Sequence, residues 1–154
     1  MIPATVNSVG QLSLGAKCER RVTFSSSLIE AFSTLVDDHA PVHFDQSFAQ
    51  ARGFSDRIVH GFLVASMFSG MLGEQIPGPQ SVINALSLKI HRPVILGDTI
   101  IYTLAVEQIS SAVNAVVLSL MAVDGSGNCV LSGKATCSFP GAESNIGVRN
   151  PRSP

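Results

Sequence analysis

Two acids and two histidines fall within seven residues, Asp37-Asp38-His39-Ala40-Pro41-Val42-His43, in a chain otherwise sparing with charge. A carboxylate and an imidazole brought into one cavity can hold a water molecule between them, orient it and accept its proton. General-base catalysis of this kind contributes about 10²–10⁴ in rate. Asp38 and His43 are five positions apart with Pro41 between them, and a turn there can bring both side chains together. A plainer reading is open too, in which Asp37 or Asp38 caps the end of a helix or stabilises the turn. His39 is expected to face solvent.

The second segment with chemical potential is Arg57-Ile58-Val59-His60-Gly61. It enters an uncharged apolar stretch, and the first N–H groups of a helix have no internal partner and sit at the positive end of its dipole. A glycine there lets a substrate approach the backbone closely. A carbonyl aimed at the Gly61 N–H would be polarised and a developing enolate oxygen stabilised. Gly61 has a plainer reading, a glycine needed only for helix–sheet contact, and His60 has two, a second base or, ahead of it, a structural hydrogen bond at the helix start.

Elements must exist to hold these segments. Ser27-Leu28-Ile29-Glu30 fits a capping box, and Ile29, Phe32, Leu35 and Val36 then mark one helical face, which Pro41 stops from continuing. A short helix around Gln46 to Ala51 would turn Phe44, Phe48 and Phe54 towards a core. From about His60 to Gly73 no residue is charged. A helix apolar all round is buried on all sides, and this one is too short to span a bilayer, so protein must surround it. Gly61, Ala65 and Ser69 form a small-residue stripe along it. The second half is β: 81–93, 99–109, 113–123 and 130–139 are rich in Val, Ile, Leu and Thr and are separated by turn signals. A further strand is expected at 16–24. The pattern predicts an α+β domain with about five antiparallel strands, consecutive ones joined by short connections, around one buried helix.

Composition narrows the function classes. The 154 residues suit one domain, with 45% apolar residues but only 14% charged, against roughly 25% in an average globular protein. So little charge implies apolar surface covered by a partner, for which a second copy of the chain is the first candidate. A net charge of −1 without a basic patch argues against nucleic acid. No apolar run reaches a membrane span, and no secretory signal is visible at the start. Cys18, Cys129 and Cys137 lack metal-ligand spacing, and their odd number fits reduced thiols in the cytoplasm. Residues 1–15 read as a poorly ordered lead-in, 16–140 as the single domain and 141–154 as a disordered tail.

Taken in order, Asp38-His39-Ala40-Pro41-Val42-His43-Phe44-Asp45, then Phe48-Ala49, then Ile58-Val59-His60-Gly61-Phe62-Leu63, resemble the MaoC-like (R)-specific enoyl-CoA hydratases. Their hallmark is Asp-x-Asn-Pro-Leu/Val/Ile-His, followed some seventeen residues on by an apolar-His-Gly-aliphatic segment. The resemblance runs from about Val22 to Pro140. It implies a hot-dog fold, an antiparallel sheet wrapped around a long central helix, in a homodimer whose sheets join side by side. It implies hydration of trans-2-enoyl thioesters to (R)-3-hydroxyacyl thioesters, or the reverse. Asp38 and His43 would then activate the water and Gly61 would form the oxyanion hole. Ser69 and Leu72 would line the acyl pocket, with His60 and Phe62 also at the substrate. The family's chemistry needs no metal or redox cofactor. The carrier is CoA or a carrier protein, and Arg52, Arg57, Lys89 and Arg92 are candidates to meet CoA phosphates. One departure stands out: Ala40 replaces the family's Asn, so loop support or substrate choice is expected to differ.

Overall fold

A computed structural model of the chain describes residues 6 and 8–140. The expected tail, 141–154, lies outside the described residues. Within the expected lead-in, Val9–Gln11 form a short 3-10 turn whose Val9 side chain is buried.

Strand β1 (Lys17–Thr23) leads into helix α1 (Ser26–Val36), a 3-10 turn (Pro41–His43), helix α2 (Gln46–Gln50) and helix α3 (Gly61–Glu74). Four strands follow: β2 (Val82–Ile90), β3 (Thr99–Ser110), β4 (Ala115–Val123) and β5 (Cys129–Ser138). They join β1 in one antiparallel sheet of order β1-β3-β4-β5-β2. The expected α+β layout and strand number are present.

The expected connectivity is not. Only β3, β4 and β5 follow one another as neighbours, whereas β2 pairs with β5 at one edge and β3 with β1 near the other. Residues 91–98 must therefore carry the chain across the sheet, and this crossing anchors the site. Its backbone pairs with the segment that enters α3: Val59 N–H donates to Val94 C=O (2.8 Å) and Leu96 N–H to Arg57 C=O (2.9 Å).

The core follows from the two-residue period of strands. Ile100, Tyr102, Leu104 and Val106 of β3 and Val116, Leu118, Leu120 and Ala122 of β4 all point inward. They meet Leu63, Val64, Phe68, Met71 and Leu72 of α3 in one cluster. The Tyr102 hydroxyl donates to Val64 C=O at 3.0 Å, which satisfies a polar atom inside that cluster, and Phe68 meets the Tyr102 ring edge-on at 5.1 Å. Burial pushes the phenol far above its ordinary titration range, so it stays neutral.

Three local expectations need correction. Ser25, not Ser27, caps α1. Ser25 is extended and its hydroxyl accepts the Leu28 N–H, whereas Ser27 is already helical, so Glu30 cannot close a box. The buried face of α1 carries Ile29 and Ser33, while Leu35 and Val36 are exposed, because the helix end turns towards the site rather than the core. Phe44 is likewise exposed, since it caps the end of the 3-10 turn beside the site.

Among the described residues, helix α3 is not wrapped on every side. Phe62 is 84% exposed, and Ser66 and Ser69 are also at the surface. Beside them lies β2, an edge strand exposed along most of its length, with Val82, Ile83, Leu86 and Ile90 among the exposed apolar residues. All three cysteines are free, each in a strand, and burial pushes the Cys137 thiol up to about 11.

Candidate active site

Asp37 and Asp38 divide the work at the end of α1. Asp37 is the helix C-cap, in the left-handed region at φ 56° that Asp tolerates better than most residues. This reverses the chain and points Asp38 the other way, out of the capping role. The Asp38 main chain is then tied down twice. Its N–H donates to Ser33 C=O (3.2 Å), and its own carbonyl accepts the Ser33 hydroxyl and the His60 Nε2–H (3.1 Å). Its carboxylate accepts the Ala40 N–H through Oδ1 at 3.1 Å. Position 40 thus supports Asp38 with its backbone, a contact that needs no side chain. The Asp38 side chain remains 49% exposed, open to substrate and water.

Pro41 begins the 3-10 turn that carries His43, with a φ already suited to that position. His43 is 8% exposed, and its Nδ1 lies 2.7 Å from Ile58 C=O. A carbonyl can only accept, so Nδ1 carries the proton and Nε2 keeps a lone pair, the tautomer a general base requires. The 43 and 58 segments are further joined by the Ile58 N–H donating to Val42 C=O at 3.2 Å. Through 57–59 and the 91–98 crossing, His43 is therefore referred to the sheet.

His60 lies flat against His43, with ring centroids 3.7 Å apart and planes 24° from parallel. Phe32 and Phe44 flank it at 5.3 and 6.2 Å. Burial holds its imidazole below the ordinary histidine value, against the opposing pull of the Asp38 hydrogen bond. Gly61 opens α3 and, as its first residue, has an N–H with no intrahelical partner. A Cβ at this position would sit 2.8 Å from Ile90 Cδ1, so glycine keeps this approach open.

Asp38, His43, His60, Gly61, Phe62, Phe32 and Val36 line one pocket of about 140 Å³. One donor atom each from Asp38, His43 and His60 lie within 4.8 Å of one another. Two hydrogen bonds of about 2.8 Å meeting at a tetrahedral water span roughly 4.5 Å, so the spacing suits one bridging water. It suits a metal ion poorly. The lone pairs of the stacked imidazoles lie in near-parallel ring planes offset from one another, and one nitrogen of each ring is already committed to a carbonyl.

Residues 11–122 match the MaoC like domain family. The chain belongs to this family. It is 40% identical over 93 residues to an (R)-specific enoyl-CoA hydratase of Aeromonas caviae, covering 60% of this chain and 69% of that protein. It is 33% identical over 131 residues to the mitochondrial 3-hydroxyacyl-(acyl-carrier-protein) dehydratase FERN of Solanum lycopersicum, covering 84% and 78%. The structure superposes on that of the A. caviae (R)-hydratase involved in PHA biosynthesis with a TM-score of 0.81 and 32% identity, over 84% of this chain and 98% of the other. The family and the hot-dog fold are those expected from the Asp38-to-His43 and His60-Gly61 segments, and this MaoC-like chain is a hydro-lyase of the hydratase/dehydratase type.

Not every expected site residue falls in this pocket. Ser69 and Leu72 line a separate apolar groove of about 210 Å³ with Ala65, Ile83, Leu86 and Leu88, and Phe62 lines both spaces. Of the basic candidates, Arg52 lies over the Phe48 ring at 3.4 Å and Arg57 pairs with Asp56 at 3.6 Å. His39 is largely exposed, with Nδ1 2.9 Å from the Ser33 hydroxyl. Sequence reasoning missed Ser33, which holds the Asp38 carbonyl from one turn back in α1. Its place one turn before the Asp37-Asp38 pair was the available signal.

Proposed function

We propose that this MaoC-like chain adds water to trans-2-enoyl-CoA to give (R)-3-hydroxyacyl-CoA, or runs the reverse dehydration. The observation that carries this reading is the single pocket shared by the Asp38 carboxylate, His43 and Gly61. In the hydration direction, Asp38 and the Nε2 lone pair of His43 hold the water. One of them takes its proton as the oxygen attacks C3. The thioester carbonyl gathers negative charge as the enolate forms, and the Gly61 N–H at the positive end of α3 stabilises it. The same acid–base pair returns a proton to C2 on the face from which water arrived, which makes the addition syn.

Neither space alone reaches the roughly 300 Å³ of common ligand sites. A longer acyl chain therefore runs past Phe62 into the groove with Ser69 and Leu72. A second copy of the chain completes that groove in this reading. The two sheet edges support it: β1 carries Lys17, Glu19, Arg20 and Arg21, which blunt an edge, whereas β2 offers Val82, Ile83, Leu86 and Ile90 with Lys89 alone charged. A long apolar edge strand is a template for pairing.

Loss of the conjugated enoyl absorbance of crotonyl-CoA tests the reaction, with the Asp38→Asn chain as control. A wild-type chain inert on CoA esters of several lengths would sink the CoA reading. The curated dehydratase relatives named for carrier-protein substrates favour a second reading, in which the same chemistry acts on a carrier-bound chain. Turnover of carrier-bound but not CoA-bound 3-hydroxyacyl chains would select it.

A further inference from the structure

The water chemistry uses Asp38 and His43 and leaves His60 without a task, although His60 is the most deeply buried of the three at 2% exposed. Its two nitrogens differ sharply. Nε2–H donates to the Asp38 carbonyl at 3.1 Å, so in the neutral ring Nδ1 carries the lone pair. That Nδ1 is buried and has no hydrogen-bond partner among the described residues. A buried polar atom left unpaired disfavours the fold, so its presence calls for a reason. The ring face supplies one, because it lies directly on His43.

We propose that His60 is a positioning residue for the reaction. Its ring is the wall that sets the plane of His43, and its Nε2–H pins the Asp38 main chain, so one side chain fixes the spacing of the two groups that hold the water. It does this as a neutral imidazole. A second proton would have to go on Nδ1, where no acceptor is present, and would place a cation against the ring that must itself accept a proton during turnover. The titratable groups facing His60 are Asp38, His43 and His39; burial first, then His43 and His39, favours the neutral ring, against the Asp38 carbonyl hydrogen bond and the Asp38 carboxylate, whose Oδ2 lies 3.9 Å from Nε2. Phe32 and Phe44, which flank it, offer no hydrogen bond. His60 is thereby distinct from a substrate ligand: it acts through its two neighbours.

The two contacts can be separated. His60→Phe keeps a flat ring for His43 and loses the donor to Asp38, whereas His60→Gln keeps a donor and loses the ring. The proposal rests on the hydration reading, so turnover is measured first with wild type on CoA and carrier-bound enoyl thioesters. Each variant is expected to lose about tenfold or more in kcat with KM within about twofold, because misplaced bases slow the step without weakening binding. In an Asp38→Asn background, His60→Phe should cost little more, since residues that act as a unit are not additive. Wild-type kcat in both variants, a loss confined to KM, or an undiminished loss in the Asp38→Asn background overturns the positioning role alone. A wild type inert on both carriers overturns the hydration reading and this role with it. Ring ¹⁵N–¹H spectra of wild type give a readout that needs no variant to fold. A neutral His60 protonated on Nε2 supports the proposal, and a proton on Nδ1 near neutral pH overturns it.

Discussion

Helix α3 presents opposite kinds of surface at its start and along its exposed side. At its start, His60 and Gly61 sit among polar groups whose hydrogen bonds close on one another within a single chain: Ser33 and His60 to Asp38, Ala40 to Asp38, His43 to Ile58. Further along, Phe62, Ala65, Ser66 and Ser69 face an apolar groove beside the exposed edge strand β2. Hydrogen bonds have defined partners, and at the helix start the chain supplies those of Asp38, Ala40, His43 and His60 Nε2, leaving His60 Nδ1 unpaired among the described residues. Apolar surface has no built-in partner, and the described residues leave it open along the exposed side of the helix. On the proposed hydration reading, the comparison teaches that the fold of one chain places Asp38, His43 and Gly61, while the groove for the rest of the substrate awaits a second copy.

Changes at the helix start should alter chemistry without assembly, and changes along the exposed side the reverse. The largest effect is expected at the water-holding pair. Asp38→Asn or His43→Ala should lower kcat by about 10²–10⁴ with an unchanged sedimentation profile. A variant that lost activity only by dissociating would break the comparison. Gly61→Ala comes next, expected to cost on the order of 10–100-fold in kcat/KM. The added methyl, 2.8 Å from Ile90 Cδ1, forces local movement where the carbonyl must approach the backbone. Beside the exposed side, Leu86→Asp should shift a dimer to a folded monomer in sedimentation velocity and keep the circular dichroism of the wild type. An unchanged oligomer would remove β2 as the joining edge.

Smaller effects sharpen the picture at the helix start. Ser33→Ala leaves the Asp38 carbonyl with one donor instead of two and should destabilise by about 1 kcal/mol, read as a Tm lower by about 2–5 °C. His60 gives a pH signature. Burial holds its folded value below the 6.5 of a free imidazole, so below that pH the folded chain binds fewer protons than the unfolded one. Stability should therefore fall as pH drops from 6.5 through the folded value and be indifferent to His60 above it. Denaturation midpoints of His60→Phe should lack this acid-side loss.

Much of this was legible from residues alone, for identifiable reasons. The turn residue Pro41, the uncharged run after His60 and the alternating Val, Ile and Leu of 99–139 are local patterns whose periods report helix or strand directly. Asp38, His43 and Gly61 stood out because charge and glycine are informative in an apolar chain. The cap at Ser25 was misplaced because three consecutive serines, Ser25 to Ser27, offer equivalent hydroxyls, and only backbone geometry chooses among them.

The sequence by itself determined the element types, the family and the pair of groups able to activate water, since these depend on residue identity and short-range spacing. The tertiary structure alone decided which residues meet. The β1-β3-β4-β5-β2 order could not be read from strand patterns, because any two such strands pair equally well. That order sends 91–98 across the sheet, where it binds 57–59 and so presents Ile58 to His43 and His60 to Asp38. The stack of His43 on His60 joins residues seventeen apart through backbone contacts that no local spacing encodes. The same order leaves β2 at the edge, which turned the buried helix of the sequence pattern into one with an open apolar face.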